Sequence, residues 1–227
     1  MISGIALPAI IGAAAIDAIN PCAFAVLIIL VATILKGGDR KKALWAGLAF
    51  TGTVYVIYFL MGFGLFTAIA ATGITRGFFL VVAILAIIIG LLNLKDYLWY
   101  GKWFTMEVPQ AWRPAMKKII RGVTSVPGAA GAGLLVSFFL LPCTSGPYIV
   151  ILGLLADTST RIQAIPLLLL YNLIFVLPMI VITIMVYRGL ATPRELEEKR
   201  VSRVKQVHAI AGVVMIILGV WMLFYYF

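Results

Sequence analysis

The sequence predicts an all-α integral membrane protein of six transmembrane helices, arranged as two inverted three-helix repeats. Three observations predict this fold class. First, the 227 residues are 63% hydrophobic and 11% charged, whereas a soluble domain is about half apolar and a quarter charged. Second, six apolar runs follow one another, and a Pro-Cys step occurs in the first and in the fourth. Third, lysine and arginine are concentrated in alternate connections between the runs.

Each apolar run is long enough, or nearly so, for a helix that crosses a hydrocarbon core of roughly 30 Å with about 20 residues. Two long runs are followed by a short run, and the same order recurs in the second half of the chain. The runs cover residues 4–35, 43–75, 77–94, 128–156, 162–187 and 209–227. The shared order predicts an internal duplication. Residues 1–98 then form the first repeat, 99–123 a cytoplasmic connecting loop and 124–227 the second repeat.

The positive residues predict the orientation of the six helices. With six spans, sixteen of the 18 Lys and Arg residues fall in connections on one side, and only Arg76 and Arg161 fall on the other. The positive-inside rule assigns the sixteen to the cytoplasm, so both termini are expected to be extracytoplasmic. Because each half has three spans, the halves have opposite orientations. The net charge of +10 is then a topology signal, and no nucleic-acid partner is expected.

The two Pro-Cys steps suggest the chemistry. Cys22 and Cys143 are the only cysteines of the chain. A proline inside a helix lacks the N–H donor and clashes with the preceding turn, so we expect the first and fourth helices to break at Pro21 and Pro142. If a helix restarts there, Asn20 is its N-cap, Pro21 its first residue and Cys22 its second. The helix dipole then favours the thiolate form, which is the reactive species in disulfide exchange.

The second step has the same order with a poorer cap, because Leu141 stands where Asn20 stands in the first step. We therefore expect Cys143 to be the less activated sulfur, although Pro147 also frees the carbonyl group of Cys143. A single cysteine in a membrane helix usually acts as a small hydrophobic residue. Matching positions for the only two cysteines instead predict a redox pair, which carries two electrons without a cofactor or a metal ion.

Other polar residues inside the apolar runs are further candidates. Asp17 is the only carboxylate inside a predicted span, so it is a candidate proton acceptor for the thiols or a ligand for a coupling ion. A hydrated position at the outer interface is the alternative. Asn172 lies in the fifth span. Two roles remain open for it: membership of a proton or polar relay, and a polar contact between helices. His208, the only histidine, is expected at the cytoplasmic interface.

The paired steps Asn20-Pro21-Cys22 and Leu141-Pro142-Cys143, in the first and fourth of six spans, resemble the CcdA family of cytochrome c biogenesis proteins. Relatives of that family include the transmembrane domain of the thiol:disulfide interchange protein DsbD. The resemblance covers essentially the whole chain. It implies a prokaryotic cell membrane protein that takes electrons from cytoplasmic thioredoxin. It also implies that Cys22 and Cys143 pass these electrons to an extracytoplasmic thioredoxin-like protein, which supports cytochrome c maturation.

Two other classes of function remain open at this point. Six-span proteins with broken helices also transport solutes or ions, and an exporter would use Asp17 and the freed backbone carbonyl groups while the cysteines were incidental. A structural subunit of a larger assembly would explain the hydrophobicity. That class gives no reason for two Pro-Cys steps at matching positions.

Overall fold

The chain folds entirely into helices and turns in the part that the structure describes. The computed structural model describes residues 6–18, 21–72, 75–98, 120, 122–158 and 161–226. Within these residues there is no β-strand. The helices are α1 (Ala6–Ala18), α2 (Pro21–Leu35), α3 (Arg40–Thr72), α4 (Thr75–Leu98), α5 (Val126–Thr158), α6 (Arg161–Tyr187) and α7 (Pro193–Tyr226).

Among the described residues, three stretches of helix are long and apolar enough to cross a membrane, judged by length and composition: Arg40–Ala68 in α3, Ala164–Tyr187 in α6 and Pro193–Trp221 in α7. Shorter apolar stretches occur in α2 and in α5, at Ala23–Leu35 and Val126–Phe138. These helices indicate a membrane protein, in agreement with the composition.

The first apolar run, residues 4–35, forms two helices. Helix α1 ends at Ala18 and α2 begins at Pro21, so the break predicted at the first Pro-Cys step is confirmed. Proline suits the first position of a helix because its missing N–H would have no partner inside the helix there. Helices α1 and α2 have 13 and 15 residues, and neither alone is long enough to span a bilayer.

The break predicted in the fourth apolar run is wrong. Helix α5 continues for 33 residues through both Pro142 and Pro147. The residue before the proline explains the difference, because Leu141 is a strong helix former, whereas Asn20 in the first run competes for backbone hydrogen bonds and caps helices. A helix in a packed membrane bundle can tolerate the hydrogen bond that proline removes.

Buried apolar side chains form two clusters along the bundle. One cluster joins α2 to the first part of α3, the first part of α5 and the second part of α6. The other joins α1 to the distal part of α3, the second part of α5 and the first part of α6. Helices α1 and α2 thus belong to different clusters, and the break between them lies where the two clusters meet. Both Pro-Cys steps are therefore near the middle of the bundle.

Helices α4 and α7 pack closely because small residues stand at their crossing. A Cβ atom on Gly90 would lie 2.9 Å from the carbonyl oxygen of Gly212, and a Cβ atom on Gly219 would lie 2.9 Å from that of Ala83. Residue numbers increase in opposite directions along the two helices, so α4 and α7 are antiparallel. Lipid tails are as apolar as these side chains, so close van der Waals contact is what holds such helices together.

The turns after α2 and α6 lie at the same end of the bundle. Each turn contains a glycine with positive φ, Gly38 at 82° and Gly189 at 72°, a conformation that residues with a Cβ atom rarely adopt. A Cβ atom on Gly189 would lie 3.4 Å from Nη1 of Arg40, at the start of α3. Two of the connections that are rich in lysine and arginine are therefore neighbours.

Candidate functional site

The structure brings together the helices that carry the two cysteines. Cys22 is the second residue of α2, and Cys143 lies in the middle of α5. Helix α5 packs against both α1 and α2. The side chains of five predicted site residues lie outside the described part of the structure: Pro21, Cys22, Pro142, Cys143 and Pro147. Asn20 lies outside the described residues altogether, so the activation of either thiol stays a prediction.

Asp17 is buried beside the break between α1 and α2. It is the next-to-last residue of α1, and only 5% of its surface is exposed. The hydroxyl group of Tyr171, on α6, donates a hydrogen bond of 3.0 Å to Oδ2 of Asp17. Asp17 is therefore not the hydrated interface residue that the sequence left open. Its carboxyl group joins α1 to α6 at the level of the first Pro-Cys step.

Aromatic side chains extend the site from Tyr171 across the bundle. The ring of Tyr171 lies 5.2 Å from that of Tyr148 on α5, and Tyr148 lies 6.0 Å from Tyr58 on α3. Tyr58 also stacks on Phe175 at 5.2 Å. The hydroxyl group of Tyr148 donates a hydrogen bond of 2.7 Å to the backbone carbonyl oxygen of Tyr58. These buried rings connect α3, α5 and α6.

The space for Tyr148 depends on a glycine of α3. A Cβ atom at Gly62 would collide with the hydroxyl group of Tyr148. Neither Tyr148 nor Tyr58 was recognised as a site residue from the sequence. Their position inside apolar runs is the sequence feature that identifies such residues. A tyrosine hydroxyl group that is buried there usually requires a hydrogen-bond partner.

Asn172 is fully buried next to this group of rings. Its Nδ2 donates a hydrogen bond of 2.8 Å to the carbonyl oxygen of Leu168, one turn earlier in α6. Its Oδ1 has no hydrogen-bond partner among the residues that the structure describes. Tyr148 lies beside Asn172, but its single hydroxyl proton is already donated to Tyr58. Among the described residues, Oδ1 of Asn172 is therefore a buried acceptor without a donor, which we call the spare acceptor.

Asp17, Asn172 and the two tyrosines between them form one connected polar group, which we call the Asp17 cluster: Asp17, Tyr148, Tyr171 and Asn172. The two predicted relay residues thus belong to one site, and tyrosines connect them. Carboxyl and hydroxyl groups can exchange protons, and the amide group can donate and accept hydrogen bonds. Among the described residues no three His, Cys, Asp or Glu side chains come together as a metal site would require.

A second polar contact lies between α4 and α7. Nδ1 of His208 lies 2.7 Å from Oδ1 of Asn93. The amide group of Asn93 also donates to the carbonyl oxygen of Ile89 at 3.0 Å and approaches the sulfur of Met215 at 3.9 Å. His208 is only 5% exposed. It is therefore buried between α4 and α7, and its level relative to the membrane interface stays a prediction.

Asp96 is a buried carboxylate that the sequence analysis missed. Helix α4 continues to Leu98, beyond the apolar run that ended at residue 94, and the side chain of Asp96 has no exposed surface. Its Oδ1 lies 2.9 Å from Nζ of Lys95. Asp17 is therefore not the only carboxylate inside the bundle. Because Lys95 and Asp96 directly follow the apolar run, the sequence pattern did not indicate that the helix continues.

Comparison of the chain with protein-family models, with curated proteins and with solved structures found no match.

Proposed function

We propose that this protein carries reducing equivalents across a prokaryotic cell membrane by thiol–disulfide exchange at Cys22 and Cys143. Cytoplasmic thioredoxin is the electron donor in this proposal, and an extracytoplasmic thioredoxin-like protein is the acceptor. The resemblance to the CcdA family suggests these partners and a role in cytochrome c maturation. No cofactor is required, because a disulfide accepts two electrons when it is reduced to two thiols.

The observation that carries the proposal is the start of α2 at Pro21, with α5 packed against the break. This start makes Cys22 the second residue of a helix, where free N–H groups and the helix dipole stabilise a thiolate. Helix α5 carries the only other cysteine and contacts both α1 and α2. A disulfide requires Cα atoms about 4.4 to 6.8 Å apart, and packed helices can meet this requirement.

Six spans in two inverted repeats provide the framework of the proposal. Reciprocal contacts between α4 and α7 support it. Gly90 packs against Gly212 and Ile216, whereas Gly219 packs against Ala83 and Ile87. Aligning Gly90 with Gly219 also aligns Ala83 with Gly212 and Ile87 with Ile216, so one set of contacts becomes the other when the halves are exchanged. A two-fold axis between antiparallel helices has this effect, as in inverted-repeat transporters.

Exchange proceeds through a mixed disulfide. A thiolate of the donor attacks one sulfur of the Cys22–Cys143 disulfide, and the other sulfur leaves as a thiolate. The second thiol of the donor then attacks the mixed disulfide, which releases the first sulfur and oxidises the donor. Two electrons have passed to the membrane pair. The same steps in reverse reduce the acceptor on the outer side.

The proposal includes alternating access, because neither partner is small enough to enter the bilayer. The cysteine pair must therefore be exposed to each side in turn, and inverted repeats commonly provide two mirror-related states. The proposal places the sixteen positive residues and the thioredoxin side in the cytoplasm and both termini outside, and the positive-inside rule supports this orientation.

Thiol trapping tests this function. Purified protein is oxidised, incubated with reduced thioredoxin and labelled with a maleimide polymer, which adds mass for each free thiol. We expect no label after oxidation and two labels after thioredoxin. Cys22→Ser and Cys143→Ser should each accumulate a mixed disulfide or lose turnover. Free labelling of both cysteines under every condition would show that they never pair.

An exporter of a small solute or an ion is the second candidate function, and the Asp17 cluster favours it. A buried carboxyl group and the spare acceptor of Asn172 are groups that a transporter uses to bind a cation or a proton. This function predicts that a variant with both cysteines replaced by serine still transports, whereas Asp17→Asn does not. Thioredoxin-dependent reduction of the wild-type protein distinguishes the two candidates.

A further inference from the structure

Thiol–disulfide exchange inside a membrane requires a local source of protons. When a donor dithiol reduces a disulfide, two electrons enter the S–S bond, and two protons must reach the released sulfurs if both are to become thiols. Water serves this purpose at the surface of a soluble protein. In the middle of an apolar bundle, a side chain that can exchange a proton must do so.

Asp17 lies where such a group is needed. It is the next-to-last residue of α1, and α2 resumes at Pro21 with Cys22 as its second residue. Asp17 is buried, with 5% of its surface exposed. Among its titratable neighbours are Tyr171 on α6 and Tyr148 on α5, with Tyr58 on α3 next to them.

Asn172 provides a second, independent observation. Its side chain is fully buried, and its Oδ1 has no hydrogen-bond partner among the described residues. A buried acceptor without a donor costs free energy, so it calls for an explanation, and service to a donor during part of a functional cycle is one. A thiol or a protonated carboxyl group has the right chemistry to be that donor.

We propose that the carboxyl group of Asp17 exchanges a proton with the cysteine pair during each round of thiol–disulfide exchange, and that Tyr171 is its positioning residue. This inference rests on the proposed function. The hydrogen bond from Tyr171 fixes one oxygen of the carboxyl group, at 3.0 Å, and leaves the other oxygen for proton transfer. It also stabilises the carboxylate that remains after the proton has left.

The protons balance as follows. Attack by the donor's thiolate breaks the S–S bond, and the leaving sulfur takes a proton from the Asp17 carboxyl group. The donor's second thiol passes its proton back to the carboxylate and, as a thiolate, resolves the mixed disulfide. The sulfur released in that step also takes its proton from the carboxyl group, which then recovers from water the proton that the donor's first thiol lost. Asp17 returns to its starting state, and the donor has lost two electrons and two protons.

The first test is the rate of reduction by reduced thioredoxin as a function of pH, for the wild type and three variants. Asp17→Asn preserves the size of the side chain and should slow reduction by at least about tenfold. This lower limit is smaller than the rate acceleration that a positioned general acid or base usually provides. Tyr171→Phe should move the midpoint of the pH–rate profile upward by about one pH unit, because the carboxylate loses its donor.

Tyr55→Phe is the matched control. It removes a hydroxyl group of α3 that lies outside the Asp17 cluster and donates to the carbonyl oxygen of Leu169 on α6, at 3.4 Å. The midpoint of its pH–rate profile should therefore equal that of the wild type. An equal shift in Tyr55→Phe and Tyr171→Phe would show that Tyr171 has only a packing role. A wild-type rate and profile in Asp17→Asn would overturn the inference.

A second measurement separates this inference from the proposed function. Infrared difference spectra are recorded between the disulfide state and the mixed disulfide formed with the monothiol 2-mercaptoethanol, so that thioredoxin plays no part and no second thiol returns a proton to the carboxylate. We expect the loss of a carboxyl C=O band, and Asp17→Asn should lack this change. If thioredoxin fails to reduce the protein but this band is lost, the proposed donor is wrong and the proton role stands. If the mixed disulfide forms with no loss of the band, the proton role is wrong.

Discussion

A helix begins at Pro21, whereas at Pro142 helix α5 passes through the proline without interruption. The two Pro-Cys steps have the same two residues in the same order, so the proline alone does not decide whether a helix ends. The preceding residue differs, with Asn20 before the first proline and Leu141 before the second. A residue that caps helices permits a new start, and a residue that favours helix does not.

Three other prolines in the described part of the chain follow the same rule. Helix α7 begins at Pro193, directly after Thr192, whose hydroxyl group accepts a hydrogen bond of 3.3 Å from the N–H of Glu195. Pro166 and Pro178 follow isoleucine and leucine, and both lie inside α6. Capping chemistry before the proline therefore distinguishes helix starts from interior prolines at these positions.

The two regions also differ in their anchors. Four residues before the first proline stands Asp17, which is buried and bonded to α6. Four residues before the second stands Phe138, which is 56% exposed. The second region is instead held by Tyr148, bonded to the backbone of α3. The first cysteine thus has a buried carboxyl group nearby in sequence, and the second has an aromatic anchor.

The largest expected effect comes from breaking the anchor of the second region with Gly62→Ala. The new Cβ atom collides with the hydroxyl group of Tyr148, which is buried and bonded. We expect a loss of about 2–3 kcal/mol in the free energy of unfolding, as for other overpacked cores. Gly64→Ala is the matched control, because a Cβ atom on that glycine of the same helix would meet no described side chain or neighbouring helix within 4 Å. Equal thermal stability of the two variants in detergent would contradict this prediction.

The next effect in size concerns the difference in reactivity between the two cysteine sulfurs. In the single-cysteine variants Cys143→Ser and Cys22→Ser, alkylation should be about tenfold faster at Cys22, equivalent to one unit of thiol pKa. The physical reason is that a helix starts just before Cys22, whereas Cys143 lies inside a continuous helix. Alkylation is followed by mass spectrometry. Faster reaction at Cys143 would reverse the predicted order.

A smaller effect is expected from exchanging the residues before the prolines. Asn20→Leu removes the predicted cap, which is worth about 1 kcal/mol, so alkylation of Cys22 should slow severalfold. The reciprocal change Leu141→Asn should accelerate alkylation of Cys143. Each change is made in the variant that retains only the cysteine being measured. If neither rate responds, the preceding residue does not control these steps.

The smallest effect is expected at the start of α7. Thr192→Ala removes the hydroxyl group that accepts the N–H of Glu195. Hydrogen exchange of amides in the first turn should accelerate about fivefold, the equivalent of about 1 kcal/mol. Protection in the rest of α7 should stay the same, because that helix packs along α4. Thr192→Ser preserves the cap and serves as the control.

The sequence by itself predicted the membrane class, the positions of the apolar helices and the start of α2. These features depend on local composition and on the cap before a proline, which are visible in consecutive residues. It also identified Asp17 and Asn172 as candidate relay residues. It did not predict the continuity of α5, because backbone tolerance of a proline depends on the packing around the helix.

Only the tertiary structure decided which buried polar groups meet. The partners Asp17 and Tyr171 are 154 residues apart, and His208 and Asn93 are 115 apart. In a helix that is apolar on all sides, no pattern marks the face that turns toward a neighbour. Lipid and protein interior are equally apolar, so the choice depends on close packing and on hydrogen bonds between distant residues. Those contacts exist only after the helices have assembled.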